Sequence, residues 1–520
     1  MARWPGIASL LAVLLFSRTA ALATPNVVFF FIDTLRADHC SCLGYARPTT
    51  PSLDELARRG TLFERAYAQA DTSLASYTTV FTSLHPAAHG VFVSGAALDD
   101  SVWTLAGILG ANGYQTAAFV AGGQLAPSSG LGRGFDTYWS TRTTGSFFRT
   151  APRALEWLDR RGPSAAARPT RPLPPARGTE RDRETAGKWD GERPFFLMVQ
   201  GYDAHVPYSP PLGFGEVHDP GYHGLVHEPG FLSAPVLASI HGLEYDAAAA
   251  ERARLAPSPG RRWAAPFREL TPPLLPDLPG PPAAGPSAAP GEPRTMSAAD
   301  LRHVVAHYDG AVTYADLWLG LFLEGLESRG LRGSTIVVVA GDHGESLGEH
   351  EGWGHGFVPH DSTLHVPLAV SGPGVARGRR VADLVGLIDL APTVLSLCGI
   401  APCRQHQGAS LLPYLGPSAR PPSGARRILF ASGRDTSTSF DGTYRLLRRV
   451  TASGQVVTTL HEPSKDPSER NDLSSLLPDA ARRLSGQLQD HLERFAGSAH
   501  ARPSSPTRPE RSTLERLGYW

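Results

Sequence analysis

The chain has 520 residues, which is enough for one large α/β domain and a smaller second domain. Its 49 basic side chains (Lys and Arg) equal its 49 acidic ones, so no net field favours nucleic acid or a membrane surface. We therefore expect no nucleic-acid partner.

Residues 1–23 have the pattern of a secretory signal peptide. One basic side chain precedes a mostly apolar run over residues 7–16, and Ala21-Leu22-Ala23 has the small-x-small form of a cleavage site. The run is too short to span a bilayer, so we expect a secreted or periplasmic protein without an integral membrane segment after cleavage.

Four cysteines could form disulfide bonds in an exported protein. Cys398 and Cys403 are close enough in sequence to pair, whereas the Cys-x-Cys spacing of Cys40 and Cys42 is awkward for a mutual bridge. No zinc-like spacing of cysteine and histidine is present.

The first apolar run after the signal, residues 26–32, predicts a strand buried on both faces. It ends on Asp33, which is either a helix cap or a ligand. Two short helices are then predicted: one over residues 52–59, from a capping-box pattern that begins at Ser52, and one over about 102–112.

A hydroxyl-rich segment predicts a helix that begins at Thr72 or Ser73, because apolar residues recur at helical spacing at Leu74, Tyr77, Phe81 and Leu84. Backbone N–H groups at such a helix start favour an anion. The hydroxyl there serves either as a cap or as a nucleophile, and both alternatives stay open.

Polar side chains follow two further strands. Residues 195–200 predict an inner strand, with Asp203 and His205 beyond it. A long helix over about 298–329 leads into a strand over residues 334–340, and Asp342 and His343 follow immediately. Strands of an open α/β sheet direct such residues into the ligand crevice, and a carboxylate with an imidazole predicts a divalent-ion site.

The histidines His205 and His355 are either satisfied loop residues or functional groups. Both lie beyond strands directed at the crevice, which favours function. Asp203 is expected to orient His205 or to bind a second ion. Three other histidines are interpreted as structural: His39, His350 and His360.

The predicted organisation has four parts. Residues 1–23 are the signal, and residues 24–420 form the catalytic domain, with Pro-, Gly-, Ala- and Arg-rich flexible insertions at about 160–192 and 256–293. Strand-like runs from about 428 to 460 and an amphipathic helix at 480–495 predict a C-terminal subdomain over residues 421–500. The tail, 501–520, is expected to be disordered.

Seven segments, in order along the chain, carry a family pattern: Phe31 to His39, Ser73-x-Ala-Ser with Thr82 to Pro86, Gly113-Tyr-x-Thr116, Asp203-x-His-x-Pro-Tyr208, Val338 to Glu345, His365-Val-Pro-Leu-x-Val370, and Asp466 to Leu473. As an ordered set covering nearly all of residues 26–497, they resemble the sulfatase family of the alkaline-phosphatase superfamily. The resemblance implies a large mixed, mostly parallel sheet sandwiched by helices, with a small C-terminal antiparallel sheet and a helix.

The same resemblance implies one divalent cation, usually calcium, bound by Asp33, Asp342 and His343. Ser73 lies where the family places the Cys or Ser that is oxidised to formylglycine, whose hydrate oxygen binds the metal and attacks sulfur. His205 and His355 match basic positions that hold the ester oxygens or protonate the leaving group.

The chain departs from the family pattern at several positions. Thr34 stands where many sulfatases have a second Asp, which leaves room for manganese or zinc. Tyr77 replaces the arginine of the modification signal, and Ala75 replaces its proline. Ala121-Gly-Gly123 occupies the place of a Lys/His pair, and His355 stands where many sulfatases have Lys.

Three functions follow from these observations. An oxidised Ser73 predicts an exported hydrolase of small-molecule or glycan sulfate monoesters. An unmodified Ser73 would instead make the chain a phosphodiesterase or phosphotransferase. The third alternative is a sulfatase-like binding protein without turnover. The five polar groups at the ends of apolar strands argue against it, because a degenerate site has no physical reason to keep them.

Overall fold

The computed structural model describes residues 24–92, 96–141, 145–159, 191–211, 213–215, 217–222, 297–349, 352–419, 427–495 and 500–503. The expected signal peptide, the second insertion, His350 and residues 504–520 lie outside the described residues, as does the first insertion up to residue 190.

Sixteen strands are present in the described part of the chain, and their bounds are β1 (Asn26–Ile32), β2 (Thr61–Tyr67), β3 (Ala96–Leu98), β4 (Gln115–Val120), β5 (Thr137–Ser140), β6 (Phe195–Gly201), β7 (Thr335–Gly341), β8 (Ser346–Leu347), β9 (Trp353–Gly354), β10 (His365–Ser371), β11 (Arg379–Gly386), β12 (Leu429–Ser432), β13 (Thr436–Phe440), β14 (Arg445–Val450), β15 (Val456–His461) and β16 (Ala501–Pro503).

The described α-helices are α1 (Pro51–Arg59), α2 (Ser73–Thr82), α3 (Pro86–His89), α4 (Leu105–Ala111), α5 (Phe147–Leu158), α6 (Ala298–Ser328), α7 (Asp361–Leu364), α8 (Leu390–Leu397), α9 (Leu412–Leu415) and α10 (Pro478–Phe495). The predicted helices at 52–59, 102–112 and 298–329 are confirmed by α1, α4 and α6.

Eight strands form the main sheet, in the order β11-β2-β10-β7-β1-β6-β4-β5. All pairings are parallel except those of β10 with β2 and β7, so β10 alone in this sheet runs against the others. The prediction of a mixed, mostly parallel sheet is confirmed.

The central strand β1 is buried on both faces, as its uncharged run predicts. Its alternate side chains enter two separate cores: Phe29 and Phe31 pack with Tyr77 of α2 on one face, and Phe30 packs with Phe322 of α6 on the other. Helices therefore cover both sides of the sheet, which is the layered arrangement expected for parallel strands.

The register of the central strands positions the site. Ile32, at the end of β1, pairs with Gly201 of β6 and with Gly341 of β7. The next residue of each strand therefore lies at the same sheet edge, which places Asp33 beside Asp342 and Tyr202. This edge is the carboxyl end of the parallel strands, where ligand crevices form.

The C-terminal part forms a second antiparallel sheet, ordered β12-β13-β14-β15, which confirms the predicted small sheet with a closing helix. Helix α10 packs on it through a small apolar core that contains Leu446, Leu460, Leu484 and Leu488.

Two local predictions are corrected. Helix α1 has no capping box: Thr50 is its N-cap residue, and its free N–H groups at Ser52 and Leu53 donate to Asp316 of α6 instead. Residues 501–503, which were expected to be disordered, form a strand that pairs with β3.

The structure also answers the open question of disulfide pairing. All four are free thiols, so Cys398 and Cys403 do not pair in this structure. Within the described residues, no helix combines the length and apolarity needed to cross a bilayer.

Candidate active site

Three potential metal ligands converge where β1 and β7 end. Ligand atoms of Asp33, Asp342 and His343 all lie within 4.8 Å of one another, and the three side chains are fully buried. They are the residues that the sequence predicted as ligands, and the strand register explains why they meet.

This donor set fits a divalent cation. Asp33 Oδ1 and Asp342 Oδ2 are buried and have no hydrogen-bond partner among the residues that the structure describes. Burial, followed by the neighbouring charge of Asp342, raises the pKa of Asp33 well above its ordinary value. A bound cation would offset the cost of the unpaired oxygens and of the buried charge on Asp33, because it gives each carboxylate an opposite charge in a site that water does not reach.

The tautomer of His343 also fits a ligand. Its Nδ1 lies 2.8 Å from the carbonyl oxygen of Gly344, which only accepts, so Nδ1 carries the hydrogen. The neutral ring then directs the Nε2 lone pair at the centre, and the carbonyl acts as the outer partner that fixes the ring.

The hydroxyl of Ser73 faces this centre. Ser73 is the first residue of α2, and its Oγ lies 3.3 Å from Asp33 Oδ2 and 3.2 Å from His343 Nε2. The N-cap residue is Thr72, whose side chain makes no cap bond. Of the two roles considered for this hydroxyl, the structure does not support capping, and it leaves the nucleophilic role geometrically open.

Two further contacts bind the segments of the centre together. Ser76 Oγ donates to the carbonyl oxygen of Asp342 at 2.6 Å, which ties α2 to the end of β7. The backbone N–H of Thr34 donates to Asp342 Oδ1 at 3.1 Å. Thr34 has a φ of 56°, a strained conformation for a β-branched residue. At the position of the family's second Asp, this chain therefore has a residue whose backbone N–H donates to the predicted metal ligand Asp342.

His205 and His355 lie beside the centre. The ring of His355 is 4.4 Å from that of His343 and 4.9 Å from that of His205, measured between centroids. His355 Nδ1 is 2.8 Å from Oε1 of the buried Glu345, whose pKa burial raises to about 7. Burial, and then His355, lowers the pKa of His205 to about 3.

Asp203 does not have either of its predicted roles. Its two oxygens accept from the Ser146 hydroxyl and from the Phe147 backbone N–H at the start of α5, so it caps that helix. It is neither bonded to His205 nor placed among the metal ligands. His39 pairs with Asp309, and His360 pairs with Glu469, both away from the centre.

Four residues around the centre were not predicted from the sequence as site residues. Gln200 Nε2 donates to Asp33 Oδ2 at 3.1 Å, Glu345 contacts His355, and Gln124 and Tyr202 lie next to Ser73. Gln200 could have been identified from the sequence, because it is a polar residue at the end of an apolar strand. Gln124 could not, because it lies on a loop after β4 that reaches α2 only in the folded chain.

A mixed, mostly parallel sheet with buried acids and a hydroxyl at its carboxyl edge places the chain in the alkaline-phosphatase-like class of folds. Within that class, the chain belongs to the sulfatase family, because the family model described as Sulfatase matches residues 25–400.

Curated relatives match over part of their length. Arylsulfatase K of Xenopus laevis is 26% identical over 214 residues, and that of Danio rerio is 31% identical over 200 residues. These matches span 39% and 37% of this chain and 40% and 38% of the relatives, so the chain matches well under half the length of either.

Solved structures share the fold over most of the chain. A structure described as bound to its substrate D-glucosamine-2-N,6-O-disulfate has a TM-score of 0.64 at 17% identity, covering 91% of this chain and 98% of its own. The phosphonate monoester hydrolase of Agrobacterium radiobacter has a TM-score of 0.60 at 22% identity, covering 91% and 96%.

Proposed function

We propose that the chain is an exported, metal-dependent hydrolase of sulfate monoesters with an oxygen of residue 73 as nucleophile. The observation that carries this proposal is the position of Ser73 Oγ, 3.3 Å from Asp33 Oδ2 and 3.2 Å from His343 Nε2, at the start of a helix. Membership of the sulfatase family and the names of the relatives support the choice of sulfate.

The three buried ligands would hold one divalent ion, which supplies a Lewis acid and neutralises charge at the reacting group. Calcium is the family's usual ion. The imidazole of His343 and the replacement of a carboxylate by Thr34 make the donor set softer, which favours testing manganese and zinc alongside calcium.

The two neighbouring histidines lie close enough to the centre to take part in proton transfer. The Nδ1 atoms of both rings face acceptors, the Val206 carbonyl for His205 and the Glu345 carboxylate for His355. The Nε2 atom is thereby left as the basic nitrogen of each neutral ring. One imidazole can take the proton of the attacking hydroxyl and return it to the departing alcohol oxygen.

The substrate is proposed to be a sulfate ester of a small molecule or a glycan. The name arylsulfatase K and the disulfated glucosamine bound by a structural neighbour are consistent with both kinds of leaving group.

A second function is favoured by Tyr77. This side chain replaces the arginine of the family's modification signal, and its buried hydroxyl has no hydrogen-bond partner in the described part of the chain. If Ser73 therefore stays a serine, its hydroxyl would attack phosphorus, and the chain would be a phosphodiesterase or phosphotransferase.

Mass spectrometry of the Ser73 peptide, taken from protein made in the native host, separates the two. The sulfatase proposal predicts the loss of two hydrogens at Ser73 and turnover of 4-nitrophenyl sulfate. An intact serine, together with turnover of bis(4-nitrophenyl) phosphate and none of sulfate esters, would overturn it.

Export is tested separately. We expect the mature protein outside the cytoplasm with Thr24 as its first residue, because cleavage after Ala23 fits the signal pattern. N-terminal sequencing of protein from the periplasm or medium checks this, and a chain retained in the cytoplasm with residues 1–23 intact would contradict it.

A further inference from the structure

The anion-binding side of this centre contains no cationic side chain from the described residues. No lysine or arginine among them bonds to Asp33, Ser73, Asp342 or His343. The nearest arginine in sequence, Arg36, bonds instead to Asp38, Glu349 and the carbonyl of Glu345. A negatively charged ester must therefore find its other hydrogen bonds from neutral groups.

Gln124 contacts the start of α2, beside the nucleophile. Its Oε1 accepts from the backbone N–H of Leu74 at 2.6 Å, one residue beyond the nucleophile. Because a backbone N–H only donates, the accepting atom must be the oxygen, which fixes the orientation of the amide. The Nε2 group has no hydrogen-bond partner among the described residues, so both of its hydrogens are available to a ligand.

The loop before Gln124 is shaped to hold it there. Gly122 and Gly123 both have positive φ, at 80° and 59°. A Cβ at Gly123 would lie 2.6 Å from the Tyr202 hydroxyl oxygen, so only glycine fits. That same hydroxyl accepts from the backbone N–H of Gln124 at 3.2 Å. The replacement of the family's Lys/His pair by Ala121-Gly-Gly123 thus brings an amide to the helix start.

The amide also transmits the field of α2. The free N–H groups at a helix start carry partial positive charge, and one of them here polarises Gln124 through its oxygen. Hydrogen bonds in a chain strengthen one another, so the Nε2 hydrogens become better donors. The result is a donor without a formal charge.

We propose that Gln124 is a specificity-determining residue, whose Nε2 donates to a non-bridging oxygen of the ester and favours singly charged tetrahedral esters over doubly charged phosphate monoesters. This inference rests on the proposed function for the location of the ester. Two carboxylates balance one divalent ion, so a second negative charge on the substrate would meet no cation in the described residues.

Steady-state kinetics with 4-nitrophenyl sulfate and 4-nitrophenyl phosphate test the proposal. Gln124→Ala should lower kcat/KM for the sulfate ester about tenfold, the effect of one hydrogen bond to a charged group. Gln124→Lys should raise the phosphate-to-sulfate ratio of kcat/KM at least about tenfold, since it adds a cation. Gln405→Ala, which removes a glutamine bonded to backbone outside the site, should leave the ratio unchanged.

The isosteric variant Gln124→Glu separates a loss of activity from a loss of folding, because it keeps an acceptor for the Leu74 N–H. It should retain the thermal unfolding temperature while losing about 100-fold or more for the sulfate ester, since a carboxylate repels the substrate. Unchanged kinetics in Gln124→Ala and Gln124→Glu, or an unchanged ratio in Gln124→Lys, would overturn the proposal.

These experiments distinguish an error in the proposed sulfatase activity from an error in the role of Gln124. A wild-type enzyme that cleaves bis(4-nitrophenyl) phosphate but no sulfate ester would refute sulfate hydrolysis. Preference for that singly charged diester over 4-nitrophenyl phosphate, reversed in Gln124→Lys, would still support the role of Gln124. Calorimetric binding of methanesulfonate, a singly charged sulfonate that cannot be hydrolysed, to the full chain gives a readout without turnover and should weaken about tenfold in Gln124→Ala.

Discussion

At the residue scale, the metal centre is costly to the folded chain until a cation binds. Asp33 and Asp342 each have a buried oxygen that accepts no hydrogen bond from the described part of the chain. Burial and the neighbouring charge of Asp342 raise the pKa of Asp33, so the ionised form of Asp33 is disfavoured in the folded chain. The chain retains this arrangement although an apolar pair would pack without the cost, which is typical of a functional site.

Asp342→Asn should therefore separate stability from metal binding. We expect the metal-free variant to unfold at a higher temperature than the metal-free wild type, because one buried charge is removed. Its affinity for calcium or manganese should fall about 100-fold or more, since a ligand is lost. Thermal unfolding with and without each metal measures both quantities.

The control for this experiment is Asp203→Asn, which alters a buried acid that caps α5 outside the metal centre. It should keep the stabilisation by metal. Equal metal affinity in Asp342→Asn and the wild type would contradict the assignment of the ligands.

Glu345 is expected to position His355 through the contact of its Oε1 with Nδ1. Glu345→Ala should lower kcat about 10- to 100-fold, the usual effect of removing the partner that orients a functional histidine. Glu345→Gln keeps a carbonyl acceptor and should recover most of that loss. Equal kcat values in the alanine and glutamine variants would show that Glu345 does not act through this bond.

At the element scale, α1 depends on an acid from another helix. Asp316 of α6 accepts from Ser52 and Leu53, and burial raises the pKa of Asp316 to about 7. In the unfolded chain an aspartate has a pKa of about 3.9. The folded chain therefore binds more protons between about pH 4 and pH 7, and this group's contribution to stability is lost as the pH rises through that window.

Asp316→Asn should make stability less dependent on pH between about 4 and 7, because the titrating group is gone. Urea unfolding at several pH values measures the slope. The matched control is Ser297→Ala, which removes the cap of α6 without removing a titrating side chain. It should cost about 1 kcal/mol and leave the slope unchanged. An unchanged slope in Asp316→Asn would contradict the assignment.

The strands and the metal ligands could be predicted from the sequence for a local reason. Buried parallel strands are continuous apolar runs, and Asp33 and Asp342 directly follow two of them, so adjacency in sequence gave their position. The caps could not be predicted this way. The sequence predicts Ser52 as the start of a capping box, but the helix start is instead bonded to Asp316, 264 residues away. The sequence predicts Asp203 as a site residue, but it caps α5.

Gln124 shows the remaining difficulty. Its importance depends on the meeting of a loop after β4 with the start of α2, which are brought together by sheet order and not by chain order. Long-range contacts between irregular segments have no periodicity, so no pattern in the sequence predicts them.

At the scale of the whole molecule, one buried arginine joins the two sheets. Arg445 of β14 lies 2.7 Å from Asp361 Oδ1 with its Nη2 and 3.0 Å from Glu469 Oε1 with its Nε, and its guanidinium lies over the rings of Tyr67 and Phe440. Tyr67 ends β2 of the main sheet, so the contact couples the C-terminal subdomain to the catalytic part.

Arg445→Met should destabilise the chain by about 3 kcal/mol, because it removes the arginine that pairs with the two acids. Calorimetry should show a lower unfolding temperature. Arg483→Met, which removes the more exposed pair with Asp441, should cost less than about 1 kcal/mol. Equal effects of the two variants would contradict the role given to Arg445.

The account rests on one cation bound between β1, β7 and the residue-73 oxygen. X-ray diffraction from crystals grown with manganese, with anomalous data collected near its absorption edge, locates that ion directly. We predict one strong anomalous peak within about 2.5 Å of atoms from Asp33, Asp342 and His343, with the oxygen on residue 73 facing it. An anomalous map with no peak at these residues, or with the manganese at another site, would contradict the account.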